Sequence, residues 1–463
     1  MLPALLTAAL ALAAPAAEPP RGLVERVVCA EEPDQSYALY VPAAYAQASP
    51  APVLYLLDAR GRALLPIERF RAAADALGWV LVSSYNSRSD TSGDPNGPAV
   101  TAMWNDTQAR LALDLRRAYL GGFSGGGRAA VGMALRLPGR IAGVIGCGAG
   151  FPDETSASKA LPFAYFGTVG DRDFNYYEMR ELDDRLTAAG TPHRLSVFRG
   201  DHDWPPAAVA REALAWMELR AIRTGSRAAD PAVLRDLFEE DLAGARALED
   251  DGRRTDGYRR YVAMSSDFRR LADTAQADAR AKALAADPSL QKALREERRR
   301  DDRDRSSLSS LAARLRRAMD ASGTALPPVA RVAGELQIPA LRERARHAGS
   351  EEERLSAQRI LANLRVQTAF YLPRRFLEAG DWARAVLLLS VAAEIDPDAP
   401  SVYYDRAAAH ARAGEPGPAL ADLQRAVDRG FRRFDALEAD PDFARLRETA
   451  AFRDWLTQAK ARV

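Results

Sequence analysis

Cysteine is scarce: the 463 residues hold only Cys29 and Cys147. So few thiols exclude a disulfide-stapled scaffold and a cysteine-built metal cluster. Two buried thiols and a single disulfide are both consistent with this pair, since Cys29 lies on a first β-like run and Cys147 ends a central one. Histidine is scarce too. The four are His193, His202, His347 and His410, so few positions can supply a base that works near neutrality. Neither sign of charge is in excess: 64 Lys and Arg face 63 Asp and Glu, a net charge of +1. This balance gives no reason to expect nucleic acid or an anionic membrane surface as partner. No apolar run reaches the roughly 20 residues of a membrane-spanning helix. Neither a phosphate-binding glycine loop nor a metal-ligand spacing is visible, so no metal or organic cofactor is expected.

What is present is ordinary globular material, 47% hydrophobic and 8% aromatic, at a length that suits two to four domains. The chain opens on an apolar, alanine-rich stretch ending in Ala14-Pro15-Ala16, an Ala-x-Ala cleavage pattern. It lacks an early Lys or Arg, yet it suits a signal peptide over residues 1–17. The expectation is export, to the periplasm or outside the cell, without an anchor.

The stretch that organises the rest is Tyr119-Leu120-Gly121-Gly122-Phe123-Ser124-Gly125-Gly126-Gly127. It predicts a short apolar strand, a serine on a tight turn, and a helix beginning near Gly125. Gly122 and Gly126 supply the small neighbours such a turn demands. The turn would lift the Ser124 hydroxyl above a sheet, with the N–H groups of a helix start behind it.

Around this stretch, residues 18–225 alternate β-like and helix-like runs. The β-like runs are 23–29, 36–41, 53–57, 80–84, 118–121, 141–147, 163–168 and 193–198. The helical patterns are 67–77, 100–113, 128–135, 176–189 and 207–222. Continuous apolar strands between helices argue for an α/β fold with one doubly wound, mostly parallel sheet. The first two runs suit an antiparallel edge hairpin. Two later turns carry polar groups. Gly170-Asp171-Arg172-Asp173-Phe174 ends one strand, and Gly200-Asp201-His202-Asp203-Trp204 follows the next.

Serine, aspartate and histidine in that chain order, each in the turn after a strand, resemble the α/β-hydrolase family, over roughly the first half of the chain. The likeness is to small secreted esterases and depolymerase-like hydrolases. It implies Ser124 as nucleophile, His202 as base and Asp173 as the acid that orients the histidine, with Asp171 as the alternative acid. Asp173 is chosen because it completes Gly170-x-x-Asp, the spacing usual in the family's acid loop. Asp201 and Asp203 suit a solvated turn and a helix cap. For the oxyanion hole the resemblance implies the Gly125 N–H and one from the loop after residues 53–57, with Ala59 first and Arg60 next. That loop departs from the family's lipase-like version, lacking a His-Gly-Gly-Gly run. Arg60 and Arg62 are solvated loop residues or attract an anionic substrate. Tyr85, Asn86, Trp104 and Trp204 are candidates to line the substrate cleft. About fifty residues separate Ser124 from Asp173, too few for an inserted cap domain.

Past residue 225 the strands stop. Residues 226–345 form a charged helical region whose run 295–305 mixes both signs, the pattern of a solvated helix face. In residues 346–463, Ala379-Gly380-Asp381-Trp382-Ala383-Arg384-Ala385 is echoed by Ala413-Gly414-Glu415-Pro416-Gly417-Pro418-Ala419, 34 positions on. Leu389/Leu423 and Ala392/Ala426 keep the offset, and a weaker echo runs from Leu248. The period resembles tetratricopeptide repeats, which implies packed helix pairs and a possible protein partner. The expected activity is that of an exported serine esterase, cleaving a small-molecule or polymer ester through an acyl-enzyme. The helical module would cap the site or dock a partner. A silent hydrolase-fold scaffold and a serine peptidase stand as alternatives. No motif is seen that would hold a peptide terminus.

Overall fold

Eight strands and the helices between them make up the first part of the computed structural model, which describes residues 20–462 apart from Asp90, Ser92, 154–156, Ser158 and 321–325. The expected signal peptide lies outside the described residues. The strands are β1 (Gly22–Val28), β2 (Ser36–Val41), β3 (Ala51–Leu57), β4 (Val80–Ser84), β5 (Leu113–Phe123), β6 (Gly143–Cys147), β7 (Ala164–Gly170) and β8 (His193–Phe198). Their order in the single sheet is β1-β2-β4-β3-β5-β6-β7-β8. β2 runs antiparallel to both β1 and β4, whereas β4, β3, β5, β6 and β7 pair in parallel. The crossover helices are α1 (Leu64–Leu77), α2 (Asn96–Arg110), α3 (Gly125–Arg136) and α4 (Tyr176–Ala189), with α5 (Ala207–Arg223) after β8.

Burial explains the strand sequences. Every residue of β3, β4, β6 and β7 is buried, as expected of strands covered on both faces. The edge strand β1 instead alternates half-buried and exposed positions. The core gathers Leu54, Leu56, Phe70, Trp79, Phe166, Leu214 and Trp216 from the sheet and its helices. β5 begins earlier than the sequence suggests. Residues 113–117 carry Asp114, Arg116 and Arg117 and look like a helix end. They are drawn into the ladder past a register shift, because Ala51 of β3 pairs with Leu113.

Contacts divide the chain into two packing units, and the boundary differs from the one expected near residue 225. One unit takes the chain up to Val169, with Glu178–Phe198 and Asp203–Ala283. It therefore includes α6 (Pro231–Asp250), α7 (Arg254–Asp267) and most of α8 (Ala275–Ala285). These helices are tied to the sheet by Arg194 of β8, whose guanidinium reaches Asp241 of α6 at 2.6 Å and Asp267 of α7 at 2.8 Å.

The other unit takes Gly170–Tyr177, Arg199–His202 and the chain from Leu284. Its first helix is the 32-residue α9 (Pro288–Met319), capped by Asp287. α10 (Val329–Glu335), α11 (Ile338–His347), α12 (Glu351–Val366), α13 (Leu372–Glu378), α14 (Trp382–Ile395), α15 (Pro400–Arg412) and α16 (Pro416–Asp428) follow. Leu311, Leu315, Leu336, Leu341, Ile360, Leu364, Leu388 and Val391 form its main core. The run 295–305 is not wholly solvated as expected, because Asp301 and Asp304 on α9 are buried. The 34-residue offset has a structural counterpart. Gly380 and Gly414 both take positive φ, 75° and 78°, between paired helices. Ala385/Ala419, Leu389/Leu423 and Ala392/Ala426 are all fully buried.

Candidate active site

The end of β5 carries the most distinctive backbone in the sheet. Ser124 sits at φ 54° and ψ −125° between the last residue of β5 and the first of α3. Among the described residues only Arg270 and Gln337 share a positive φ without being glycine. Holding a serine there costs on the order of 1–3 kcal/mol, which the surroundings must supply. They do so by fixing its backbone from both sides. The Ser124 N–H donates to the Cys147 carbonyl at 2.8 Å, and its own carbonyl accepts from Gly127 N–H at 2.9 Å and Arg128 N–H at 3.2 Å. The glycines are obligatory. A Cβ on Gly122 would lie 2.3 Å from the Gly126 carbonyl oxygen, and one on Gly126 would lie 2.1 Å from that of Leu57. Backbone atoms cannot swing aside as a side chain can.

The same close approach brings the end of β3 to the turn, since Leu57 pairs with Gly122. Next along is Asp58, a fully buried carboxylate that organises the loop. Its Oδ1 accepts from the Arg60 N–H at 2.8 Å and from Arg62 Nε at 3.0 Å. Its Oδ2 accepts from Arg62 Nη2 and Trp204 Nε1, each at 2.8 Å. Burial works against its ionisation, but these donors outweigh it and hold the carboxyl below the usual carboxylate range. Two consequences follow for the expected oxyanion donors. The Arg60 N–H is occupied, which removes it as a candidate. The N–H groups of Ala59 and Gly125 meet no acceptor among the described residues. Ser89 closes over this corner: its N–H donates to the Ala59 carbonyl at 3.0 Å, and a Cβ on Gly125 would lie 2.1 Å from its Cβ.

After β7 and β8 the two polar loops meet. Both carboxylate oxygens of Asp173 lie 2.9 Å from His202 Nδ1. Asp173 is 1% exposed and also accepts the Asn175 N–H at 2.8 Å. A carboxylate at Nδ1 favours the tautomer with its proton there, leaving Nε2 as the acceptor. Phe174 lies against the imidazole, with ring centroids 4.1 Å apart. Asp171 plays a different part: its Oδ1 accepts the Gly200 N–H at 3.0 Å and so joins the loops. Arg172 joins them again through Asp201 at 2.8 Å. Ser124 belongs to one packing unit, and His202 and Asp173 to the other. All three follow strands of one sheet.

Several expected roles do not survive. Trp204 is 2% exposed, packed against Phe70 and Phe123 with its N–H on Asp58, and cannot line a cleft. Tyr85 is turned to the edge of the sheet. Its hydroxyl donates to the Glu25 carbonyl at 2.7 Å, and Arg26 lies over its ring. Asn86 bridges Ser36 N–H and the Asp34 carbonyl, and Trp104 packs on Tyr55. Arg62 is committed to Asp58. Asp203 is not the cap of α5, whose N-cap is Pro206; its carboxylate accepts the Trp204 N–H at 2.7 Å. Cys29 and Cys147 are free and buried. The residues that sequence reasoning missed are Asp58, Ser89 and Phe174. Only Asp58 offered a signal, a lone acid directly after an all-apolar strand. Among the described residues no cluster of His, Cys, Asp or Glu could hold a metal ion. No helix among them is long and apolar enough to cross a membrane.

An eight-stranded, mostly parallel sheet wound with helices, carrying a strained serine between a strand and a helix, matches the α/β-hydrolase fold. Comparison with family models and with curated proteins finds no match for the chain. Among solved structures it is similar to the fluorophosphonate-binding serine hydrolase F of Staphylococcus aureus, at 14% identity over 40% of this chain and 92% of that one, with a TM-score of 0.33. It is similar to an S-formylglutathione hydrolase from Agrobacterium tumefaciens, at 17% identity over 40% and 90%, TM-score 0.34. A third is the feruloyl esterase module from Clostridium thermocellum, solved with sinapinate, at 12% identity over 41% and 84%, TM-score 0.32.

Proposed function

We propose that the chain is an exported serine hydrolase that cleaves a carboxylic ester, with Ser124 as nucleophile, His202 as base and Asp173 as the residue that orients it. The observation that carries this reading is the backbone of Ser124. A position that costs energy, cradled by glycines that tolerate no side chain, is what a nucleophile on a strand-to-helix turn requires, and a binding scaffold has no use for it. The His202–Asp173 pair supports it, being built as a base with a fixed tautomer. In the proposed reaction His202 Nε2 takes the Ser124 proton as Oγ attacks the ester carbonyl. The N–H groups of Gly125 and Ala59 hold the oxyanion. The imidazolium then protonates the departing alkoxide, and water repeats the sequence on the acyl-enzyme. The helix pairs at residues 372–428 are proposed as a tetratricopeptide-like module that docks a protein partner.

Labelling by a fluorophosphonate probe, beside Ser124→Ala and His202→Ala and with a nitrophenyl acetate assay, tests the reading. Labelling and turnover in the native protein, lost in both variants, is the expected result. A folded native protein that neither labels nor turns over the ester would refute it.

A further inference from the structure

The loop that carries Asp173 is gripped by helices far along the chain. Arg359, on α12, is 5% exposed. Its Nε donates to the carbonyl oxygen of Asp171 at 2.6 Å, two residues before Asp173. Its guanidinium lies over the ring of Tyr176 at 3.7 Å from the centroid, and 5.9 Å from that of Tyr177. One residue along, in the first turn of α4, the Tyr177 hydroxyl donates to Asp304 Oδ2 of α9 at 2.5 Å. Asp304 is itself 6% exposed. These contacts hold residues 170–177 with the helices of their own packing unit.

The chemistry of this grip is unusual for plain packing. Burying a guanidinium is expensive unless a carboxylate pays the desolvation. Among the described residues none lies within ion-pair distance of Arg359. Its charge is met at close range by a backbone dipole, two aromatic faces and the Tyr177 hydroxyl, with the Glu352 carboxylate acting from farther off, and the close contacts fix position and direction together. An apolar side chain would fill the same space more cheaply but would not hold the Asp171 carbonyl. That carbonyl sets the path of the backbone into Asp173, and Asp171 also anchors the His202 loop through the Gly200 N–H.

We infer that Arg359 is a positioning residue for the Asp173–His202 pair, so that α9 and α12 are part of the catalytic apparatus without touching substrate. The inference rests on the triad reading above. It makes the helices after residue 284 a determinant of turnover, in addition to any docking role.

The test uses the full-length protein and nitrophenyl acetate. Arg359→Met lowers kcat by about 10- to 100-fold, the scale of a roughly 1 Å misplacement, with KM within about twofold. Arg359→Lys, which keeps the charge and a donor, regains most of that loss. In proton NMR the low-field His202 Nδ1–H resonance weakens or vanishes in Arg359→Met, a change that a merely structural role would not produce at unchanged melting temperature. If Arg359→Met does not fold, Tyr177→Phe, which keeps the ring and removes the bond to Asp304, gives the same readouts with a smaller loss. Native kcat and an unaltered His202 resonance in the folded variant would overturn the inference. Asp173→Asn separates the two claims. If it is inactive while Arg359→Met is normal, the positioning role alone fails; if it is fully active, the triad itself fails.

Discussion

His202 Nδ1 stands 2.9 Å from each oxygen of the Asp173 carboxylate, while Asp171, two residues earlier, accepts a backbone N–H from Gly200 instead. Asp173→Asn should therefore lower kcat by roughly 10⁴-fold, because an amide no longer enforces the Nδ1–H tautomer or balances the imidazolium. Asp171→Asn keeps an acceptor for Gly200 and should stay within about threefold of the native rate. Steady-state ester hydrolysis, with melting curves to confirm equal folding, checks both.

The turn at Ser124 makes a prediction about stability. Gly126→Ala would set a Cβ 2.1 Å from the Leu57 carbonyl oxygen, and neither backbone can yield without breaking the β3–β5 ladder. The expected cost is roughly 3 kcal/mol or more. Gly139→Ala, at φ 75° with nothing within 4 Å, carries only the conformational strain, about 1 kcal/mol. Chemical denaturation of the two variants should rank them in that order.

His193 is set up to be charged. Its Nδ1 faces the Thr191 carbonyl at 2.7 Å and its Nε2 lies 3.3 Å from both the Asp183 carboxylate and the Thr187 hydroxyl, so the protonated ring can donate from both nitrogens. Burial opposes the charge, but the Asp183 carboxylate and the Thr191 carbonyl outweigh it and raise the pKa above the ordinary value. A raised histidine pKa stabilises the fold fully below the unfolded value near 6.5, and that stability is lost as pH rises through the folded value. Asp183→Asn should thus cost on the order of 1 kcal/mol at pH 5.5 and markedly less at pH 8.5. Denaturant midpoints at the two pH values decide it; an equal loss at both would rule the linkage out.

The two thiols should be inert in the native state. Burial, aided by the Asp106 and Glu32 charges, pushes Cys29 up to about 11, and burial pushes Cys147 up to about 12. Little thiolate exists at pH 8, and neither sulfur is accessible. A disulfide-exchange reagent should report close to zero thiols on the native protein and two after denaturation.

Short β-like runs bounded by turn residues located all eight strands, most plainly β3, β4, β6 and β7, since a strand buried on both faces leaves a continuous apolar signature. Glycines at Gly122 and Gly126 marked the turn for a similar reason: a close backbone approach admits one residue type. Polar residues were less legible. Trp204 and Tyr85 had the composition of cleft residues, but Asp58 and Glu25, distant in sequence, claimed their hydrogen bonds. Asp203 looked like a cap, but Pro205 and Pro206 delay the start of α5.

The sequence by itself determined the order of strands and helices, the strained serine and its glycines, and the 34-residue offset, because each depends on neighbours within a turn or on period. The tertiary structure alone decided that the acid loop is held by α9 and α12. It decided, too, that Asp301 and Asp304 in a highly charged run are buried, and that Asp58 is the hub of its corner. Those outcomes depend on which side chains meet across more than a hundred residues, as Arg359 meets the Asp171 carbonyl. Local pattern holds no record of such meetings, since a solvated arginine and a buried one are written with the same letter.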